Sequence, residues 1–183
     1  RPSYQSHLNR ALLYREASKQ GGPDARALAD QAFDQFTEAL RLNPKGDVAL
    51  SRRGNLYFSR GQYELALGDY DKALAVNPDE VWTLDNRGAV HGARGEADLA
   101  YADFARALQL DPTHAGIYKN RAKTLFGEKR FEDAIVDGRK FLMFEPNDTE
   151  ALNLVANSQL QLGQYEASIA TLDQAIRLSP KGL

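Results

Sequence analysis

Histidines and acidic residues are the side chains in this sequence that could support acid–base or metal chemistry. The three histidines, His7, His91 and His114, lie far apart, and no His-x-x-x-His pair occurs. Asp111 lies three residues before His114, but one such pair beside a proline is too little for a metal site. The sequence has no Gly-x-Ser-x-Gly motif, no glycine-rich phosphate loop and no cysteine. We therefore expect no catalytic residue, metal site or cofactor, and a protein that is not an enzyme.

The overall composition excludes two classes of partner. A net charge of -2 and an isoelectric point near 6.0 give no general attraction to nucleic acid or anionic lipid. No apolar run approaches the roughly 20 residues that a membrane-spanning helix needs, and no signal peptide opens the chain. We expect neither nucleic acid nor a membrane as partner, and the compartment stays open. The first residue is Arg1 rather than Met, which indicates a trimmed or mature fragment that could have lost a signal or anchor.

The elements that position any surface site are predicted by an internal repeat. Five prolines follow one another at intervals of 34 residues: Pro44, Pro78, Pro112, Pro146 and Pro180. An apolar stretch with helical periodicity precedes each of them. Proline disfavours helical geometry in the residue before it, so helices should end near Asn43, Asn77, Asp111, Glu145 and Ser179.

A second break falls in the middle of each full unit, at Gly61, Gly95, Glu128–Lys129 and Gly163. Each unit is therefore predicted to be two antiparallel helices, helix A and then helix B, joined by a tight turn. Two helices cannot bury a core alone, so neighbouring pairs must stack into a single array over residues 1–183. With the proline at position 32, the repeats are 1–46 (irregular), 47–80, 81–114, 115–148 and 149–182.

This pattern resembles the tetratricopeptide repeat (TPR) family, whose unit has small residues at positions 8, 20 and 27 and bulky residues at 4, 11 and 24. Repeat 47–80 follows the pattern at Leu50, Gly54, Tyr57, Ala66, Tyr70, Ala73 and Pro78. Repeat 81–114 follows it at Leu84, Gly88, Ala100, Phe104, Ala107 and Pro112, with His91 in place of an aromatic residue. The resemblance implies an all-α fold, a right-handed α-solenoid of antiparallel helix pairs.

Two repeats depart from the pattern. In repeat 115–148, position 24 shrinks to Gly138 while position 27 grows to Phe141, which we interpret as a volume-conserving exchange. In the first unit the turn comes early, at Gly21, Gly22 and Pro23, which predicts helix A over residues 4–19 and a lengthened helix B over residues 24–42.

Arginine at position 7 and aspartate at position 23 occur together. The middle repeats carry Arg53 with Asp69, Arg87 with Asp103, and Arg121 with Asp137, whereas the last repeat carries Val155 and Thr171. An antiparallel hairpin would set these two positions opposite each other. We predict a half-buried, structural ion pair within each middle repeat rather than a catalytic one.

The resemblance implies that the A helices line a concave groove that binds a peptide. The groove residues that we select are Arg52, Asn55, Phe58, Trp82, Asp85, Asn86, Lys119, Asn120, Lys123, Phe126, Asn153 and Asn157. Their asparagines could bind a peptide backbone or make local hydrogen bonds, and both interpretations stay open. Their aromatic residues and arginine are of the types that binding hot spots favour, and we expect Trp82 to be at least partly exposed.

The charges of the groove indicate the partner only weakly. Arg52, Lys119 and Lys123 outnumber Asp85 and Glu150 by one charge in a chain that is negative overall. This slight positive excess favours a ligand of some acidic character, although a solvated face of mixed charge is the alternative. One TPR subfamily binds C-terminal carboxylates through cations at positions 2, 5 and 6. This chain has Ser51, Gly116 and Asn120 there, so we expect no such recognition.

Two functions compete at this point. The first is a non-catalytic scaffold that binds a peptide segment of a partner protein, with apolar and some acidic side chains, in the groove. The second is a structural module that self-associates through its terminal repeats, because an apolar face of the last repeat has no following repeat to cover it. That face comprises Leu154, Leu160, Ile169, Leu172 and Ile176.

Overall fold

A computed structural model describes residues 2–178, and these residues form helices joined by short turns. The helices are α1 Tyr4–Lys19, α2 Ala25–Leu42, α3 Asp47–Ser59, α4 Tyr63–Val76, α5 Val81–Ala93, α6 Ala97–Leu110, α7 Ala115–Gly127, α8 Phe131–Phe144, α9 Thr149–Gln161 and α10 Tyr165–Leu178. The odd-numbered helices are the A helices and the even-numbered ones the B helices. Both helices of the irregular first unit lie where the sequence predicts them.

The prolines end the B helices as expected. The C-terminal cap of each helix is the residue that directly precedes a proline: Asn43, Asn77, Asp111 and Glu145. Each cap amide still donates to a carbonyl four residues back, after which the chain becomes extended. The predicted end at Ser179 and the last proline, Pro180, lie outside the described residues.

The turns between helices A and B are set by left-handed backbone geometry. Gly61, Gly95 and Gly163 have φ angles of 70°, 76° and 72°. These are angles that glycine adopts without steric cost. In the third of the four full repeats the same turn position holds Lys129, with φ 61°, the one non-glycine residue at positive φ among those described. The midpoint breaks expected from the sequence are therefore confirmed, including the one without glycine.

The chain divides into two compact units, Arg1–Thr83 and Leu84–Leu183, and the boundary falls within α5. In the first unit, α1 packs on α2 and α3 packs on α4, with a weaker contact between α2 and α3. The buried centre of this unit joins residues of all four helices, among them Leu8, Phe36, Leu50 and Ala73.

Close packing in the first unit depends on a glycine at position 8 of the repeat. A Cβ added at Gly54 would lie 2.6 Å from the ring of Tyr70, which is fully buried. Because Gly54 has no side chain, the ring of Tyr70 on α4 can pack directly against α3. In the second unit, Gly88 meets the ring of Phe104 in the same way, at 2.8 Å.

In the third full repeat, both departures from the pattern meet the next helix A. A Cβ at Gly138 would lie 2.6 Å from Cγ2 of Val155 on α9. The ring of Phe141 packs with Tyr118 and with Ala151, which also lies on α9. The volume-conserving exchange between Gly138 and Phe141 stays a prediction.

The predicted arginine–aspartate pairs are confirmed in all three middle repeats. Arg53 donates to Asp69 through Nε at 2.7 Å and through a second nitrogen at 2.9 Å. Arg87 and Asp103 make the same two bonds at 2.8 and 2.7 Å, and Arg121 and Asp137 make them too. The three carboxylates are buried. Each pair ties helix A to helix B within one repeat, which is a structural role.

Candidate functional site

The exposed side of α3 carries residues that could contact a partner. Val48, Arg52 and Asn55 follow one another at helical spacing, so they share one face, which we call the α3 face. Val48 is 42% exposed, and Arg52 and Asn55 are half-buried. The hydroxyl of Tyr70 donates to Oδ1 of Asn55 at 2.7 Å. Asn55 therefore makes a local hydrogen bond through its side-chain oxygen. The N–H groups of its side-chain amide remain available as donors.

Trp82 lies in the first turn of α5 and is 53% exposed, which confirms the expectation that it is at least partly exposed. The next residue, Thr83, is fully buried, and its hydroxyl shares a hydrogen bond of 2.7 Å with the hydroxyl of Ser51 on α3. Because Ser51 is three residues after Val48, this hydrogen bond holds the start of α5 beside the α3 face. A large apolar side chain is thus held in place at the surface by a buried neighbour.

The two phenylalanines selected from the sequence are half-buried in pairs of rings. Phe58 lies 5.9 Å from the ring of Tyr63, and Phe126 lies 5.4 Å from the ring of Phe131 in an edge-to-face arrangement. In both repeats the pair joins the end of helix A to the start of helix B. Part of the surface of each phenylalanine is therefore covered by the aromatic ring that follows the turn. The sequence pattern alone did not indicate this contact.

The lysines of α7 are neutralised within the second unit. Nζ of Lys119 lies 2.7 Å from Asp148 and 2.7 Å from Glu150, while Nζ of Lys123 lies 2.5 Å from Glu150. Hydrogen bonds from Lys119 and Lys123 lower the pKa of Glu150 to about 2. Burial lowers the pKa of Lys119, but its hydrogen bonds to the two carboxylates outweigh this and raise it. These lysines are therefore not free to bind an acidic partner without losing their own partners.

Asp85 and Asn120 form a buried hydrogen-bonded network rather than an open surface. Asp85 is 4% exposed, and its Oδ1 accepts a hydrogen bond from the amide of Asn120 at 2.9 Å. Its other oxygen lies 3.4 Å from Nε2 of His114, which is also buried. Gly116 leaves room for this network, because a Cβ there would lie 3.2 Å from Asp85. These side chains hold α5 to α7, with Asp85 buried and Asn120 half-buried.

The remaining asparagines of the predicted set differ in exposure. Asn86 and Asn153 are half-buried and Asn157 is exposed. The side chains of Asn153 and Asn157 form no hydrogen bond with any of residues 2–178. Their amides are therefore available to a ligand, unlike that of Asn120.

His91 is engaged in a local contact of the kind expected from its position. Its Nδ1 lies 2.6 Å from Glu96, which also accepts from Arg94 at 2.8 Å. The hydrogen bond from His91, followed by that from Arg94, lowers the pKa of Glu96. Across residues 2–178, no three metal-binding side chains come together. Over the same residues no helix combines the length and hydropathy that crossing a bilayer requires.

One cationic residue of the first unit was missed in the sequence. Arg15 is half-buried on α1, on the stripe that also carries Leu8 and Ala11. Its spacing of four residues from Ala11 could have placed it on that inner stripe. The register of the irregular first unit cannot be read from the 34-residue pattern, so Arg15 was not chosen as a candidate groove residue.

Comparisons with known proteins identify the repeats. Family models described as tetratricopeptide repeat match residues 48–80 and 149–181. No curated protein matches the sequence.

Solved structures share the fold along nearly the whole chain. PilW, a widely conserved type IV pilus biogenesis factor, is 19% identical with a TM-score of 0.80, covering 94% of this chain and 79% of PilW. A thermophilic TPR protein of Thermus thermophilus is 19% identical with a TM-score of 0.76, covering 98% and 93%. YrrB, described as a TPR protein with an unusual peptide-binding site, is 19% identical with a TM-score of 0.67, covering 98% and 88%. The all-α solenoid class expected from the sequence is thus confirmed.

Proposed function

Because the chain belongs to the tetratricopeptide repeat family, we propose that it is a non-catalytic scaffold that binds a peptide segment of a partner protein on the exposed faces of its A helices. The observation that carries this proposal is Trp82, a large apolar side chain held half-exposed at the start of a helix A. Tryptophan is among the residue types that dominate binding energy at protein interfaces.

The surroundings of Trp82 support a peptide as the ligand. Val48 adds apolar surface, and the amide of Asn55 adds hydrogen-bond donors that could bind a peptide carbonyl. YrrB, which shares the fold, is described as having a peptide-binding site. In this chain the partner would place an apolar side chain against Trp82 and Val48.

The polar side chains that could have suggested catalysis have structural roles. The arginine–aspartate pair recurs in three repeats with the same geometry, as expected of a packing element that each repeat needs. The net charge of -2 favours a protein partner over nucleic acid. We therefore place the function in binding and not in a reaction.

Selection from a displayed library of random dodecapeptides tests the proposal. The wild-type chain should enrich a family of peptides, and each enriched peptide should shift the emission of Trp82, the sole tryptophan. Trp82→Ala should weaken their binding about tenfold or more, as expected of a hot-spot residue.

Leu65→Ala is the matched control, because Leu65 is 52% exposed on the B helix α4. This variant should bind the same peptides as the wild type. If no peptide is enriched, or if both variants weaken binding equally, the A-helix surface is not the binding site.

Self-association is the second candidate, and the exposure of the last repeat favours it. Ile169 is 60% exposed, whereas Ile135, at the same position of the preceding repeat, is buried. Ile176 is 44% exposed, whereas the corresponding Leu142 is half-buried. Leu160 on α9 extends this apolar surface. Such a patch marks an association site when a second copy can cover it.

The mass of the protein in solution as a function of concentration tests this second candidate. If the patch binds another copy, the wild type should form a larger species as concentration rises, and Ile169→Lys should remain a monomer. Leu13→Lys, at a site that is 72% exposed on α1, should behave as the wild type. A wild-type chain that stays monomeric at high concentration would exclude self-association through this face.

A further inference from the structure

Two arginines in the first unit form no salt bridge with any described residue. Arg15 on α1 and Arg52 on α3 are half-buried, and neither forms a salt bridge or side-chain hydrogen bond with any of residues 2–178. The neighbour of Arg52 in the sequence, Arg53, shows the usual alternative, since it is held by both oxygens of Asp69. A half-buried guanidinium without a partner loses hydration and gains nothing in return.

The two guanidinium groups also lie close enough to affect each other. Burial first, and then the positive charge of Arg52, lowers the pKa of Arg15, and the carboxylate of Glu16 opposes this shift without reversing it. Glu16 itself pairs with Lys19 at 3.3 Å. Two like charges near each other are unfavourable unless an anion lies between them. The free protein therefore holds an arrangement that an added anion would stabilise.

Two carboxylates lie in the cavity beside Arg52 without pairing with it. Asp47 and Glu80 line the same small cavity as Arg52, but neither lies within salt-bridge distance of it. Glu80 accepts hydrogen bonds from the amide and the hydroxyl of Thr83 and so caps the first turn of α5. Neutralising Arg52 with Glu80 would break this cap.

The other polar group of the α3 face is a donor as well. Oδ1 of Asn55 is taken by Tyr70, so the group that Asn55 can still offer is its amide nitrogen. Arg15, Arg52 and Asn55 thus present donors, and Val48 presents apolar surface on the same face of α3. Trp82 presents further apolar surface at the start of α5, which Thr83 ties to Ser51 of α3. The complementary ligand has an acceptor that carries negative charge, next to an apolar side chain.

We propose that Arg15 and Arg52 bind the carboxylate of an aspartate or glutamate side chain in the partner peptide, next to an apolar residue that packs on Val48 and Trp82. This inference rests on the proposed function and gives the chemistry of the partner. It also assigns the acidic preference to the first unit, because Lys119 and Lys123 of the second unit are already neutralised by Asp148 and Glu150.

The acidic group is a side chain within the peptide and not its C-terminus. Arg52 lies in the middle of the α3 face, with Val48 four residues before it and Asn55 three residues after it. A peptide that uses all three must continue on both sides of its acidic residue. A terminal carboxylate at Arg52 would leave one of these contacts empty.

The experiment is the dodecapeptide selection, with the peptides displayed in a loop so that they have no free C-terminus. Peptides enriched on the wild type should carry an aspartate or glutamate beside an apolar residue. The double variant Arg15→Gln/Arg52→Gln should still enrich peptides through Trp82 but should lose the acidic preference. Lys119→Gln/Lys123→Gln is the matched control and should keep it.

An acetylated and amidated copy of the most enriched peptide then gives the affinities. Arg52→Gln should raise its Kd about tenfold or more, as expected for a charge-assisted hydrogen bond. Replacing the acidic residue of the peptide by its amide should cost about as much on the wild type and little further on Arg52→Gln. Unchanged melting temperatures of the variants show that the loss is one of binding.

The outcomes separate this inference from the proposed function. Enriched peptides without an acidic preference, or a preference that survives in the Arg15→Gln/Arg52→Gln variant, overturn the inference and leave peptide binding intact. Enrichment only from a library with free C-termini also overturns it, since the carboxylate is then terminal. A wild-type chain that enriches no peptide from either library overturns the proposed function itself.

Discussion

At the scale of single residues, the turns between helices show how one position can be strained in one repeat and relaxed in the others. Lys129 adopts the left-handed geometry that Gly61, Gly95 and Gly163 adopt in their turns. A side chain in this region crowds the backbone, which costs roughly 1 kcal/mol. The third turn is therefore held in place by the helices on either side of it.

Replacing Lys129 with glycine should stabilise the protein by about 1 kcal/mol, because it removes that crowding. Chemical denaturation measures the change in the free energy of unfolding. The reverse substitution in the preceding repeat, Gly95→Lys, should destabilise by about the same amount. Equal stability of Lys129→Gly and the wild type would mean that the turn carries no strain.

The arginine–aspartate pairs make a second prediction at this scale. Asp69→Thr leaves Arg53 half-buried without its anion and should destabilise by about 3 kcal/mol. The double variant Arg53→Val/Asp69→Thr reproduces what the last repeat has at Val155 and Thr171. It should be more stable than the single variant, because no uncompensated charge remains. A double variant less stable than Asp69→Thr would contradict this account.

At the scale of elements, the distance between helices A and B depends on the size of position 8. Gly54→Ala places a methyl group 2.6 Å from the fully buried ring of Tyr70, so α3 and α4 must separate. The expected cost is about 1–3 kcal/mol, as for other overpacked cores. Thermal unfolding followed by circular dichroism measures it.

Gly68→Ala is the control for that prediction. Gly68 lies inside α4, and a Cβ there would have no neighbour within 4 Å. Alanine should stabilise the helix at this exposed position by about 1 kcal/mol. If both substitutions changed stability in the same direction, helix propensity and not packing would govern these glycines.

The charge cluster between α7 and α9 predicts how stability depends on pH. The pKa of Glu150 is about 2 in the folded chain, below its usual value of 4.5. Its ion pairs with Lys119 and Lys123 therefore add stability above pH 4.5 and lose it as the pH falls towards 2. Glu150→Gln should have a lower melting temperature than the wild type near pH 6, and the difference should shrink as the pH falls to 2.5.

Glu132→Gln serves as the control for the pH prediction. Glu132 is exposed on α8 and forms no ion pair with any described residue. Its melting temperature should differ little from that of the wild type at either pH. A difference between Glu150→Gln and the wild type that is independent of pH would assign the effect of Glu150 to packing.

The boundaries of these elements could be predicted because they depend on backbone chemistry that the sequence states directly. The helices α4, α6 and α8 each end two residues before a proline, and glycine allows three of the turns. The contacts of the candidate site were harder to predict because they cross from one repeat to the next. Lys119 and Glu150 belong to different repeats, and no pattern within one repeat shows that they meet.

At the scale of the whole molecule, binding should depend on the side chains that the fold leaves without partners. Asp85 and Asn120 were predicted to face a ligand, yet they bind each other. Arg52 was one of several candidates in the sequence, and the structure distinguishes it because Glu80 in the same cavity is engaged elsewhere and Arg52 forms no salt bridge with a described residue. Sequence patterns thus indicate which residues lie on the A helices, and the packing decides which of them stay available.

The contact between Gly138 and Val155 also bears on how such a gene can change. Repeats of equal length in a gene are prone to unequal recombination. Such an event removes or adds a whole repeat without shifting the reading frame. Loss of residues 115–148 would bring Val155 against Phe104, the large ring that occupies the site of Gly138 in the preceding repeat. We expect the shortened chain to keep its period and lose this fit, so that stability depends on the order of the repeats as well as on their number.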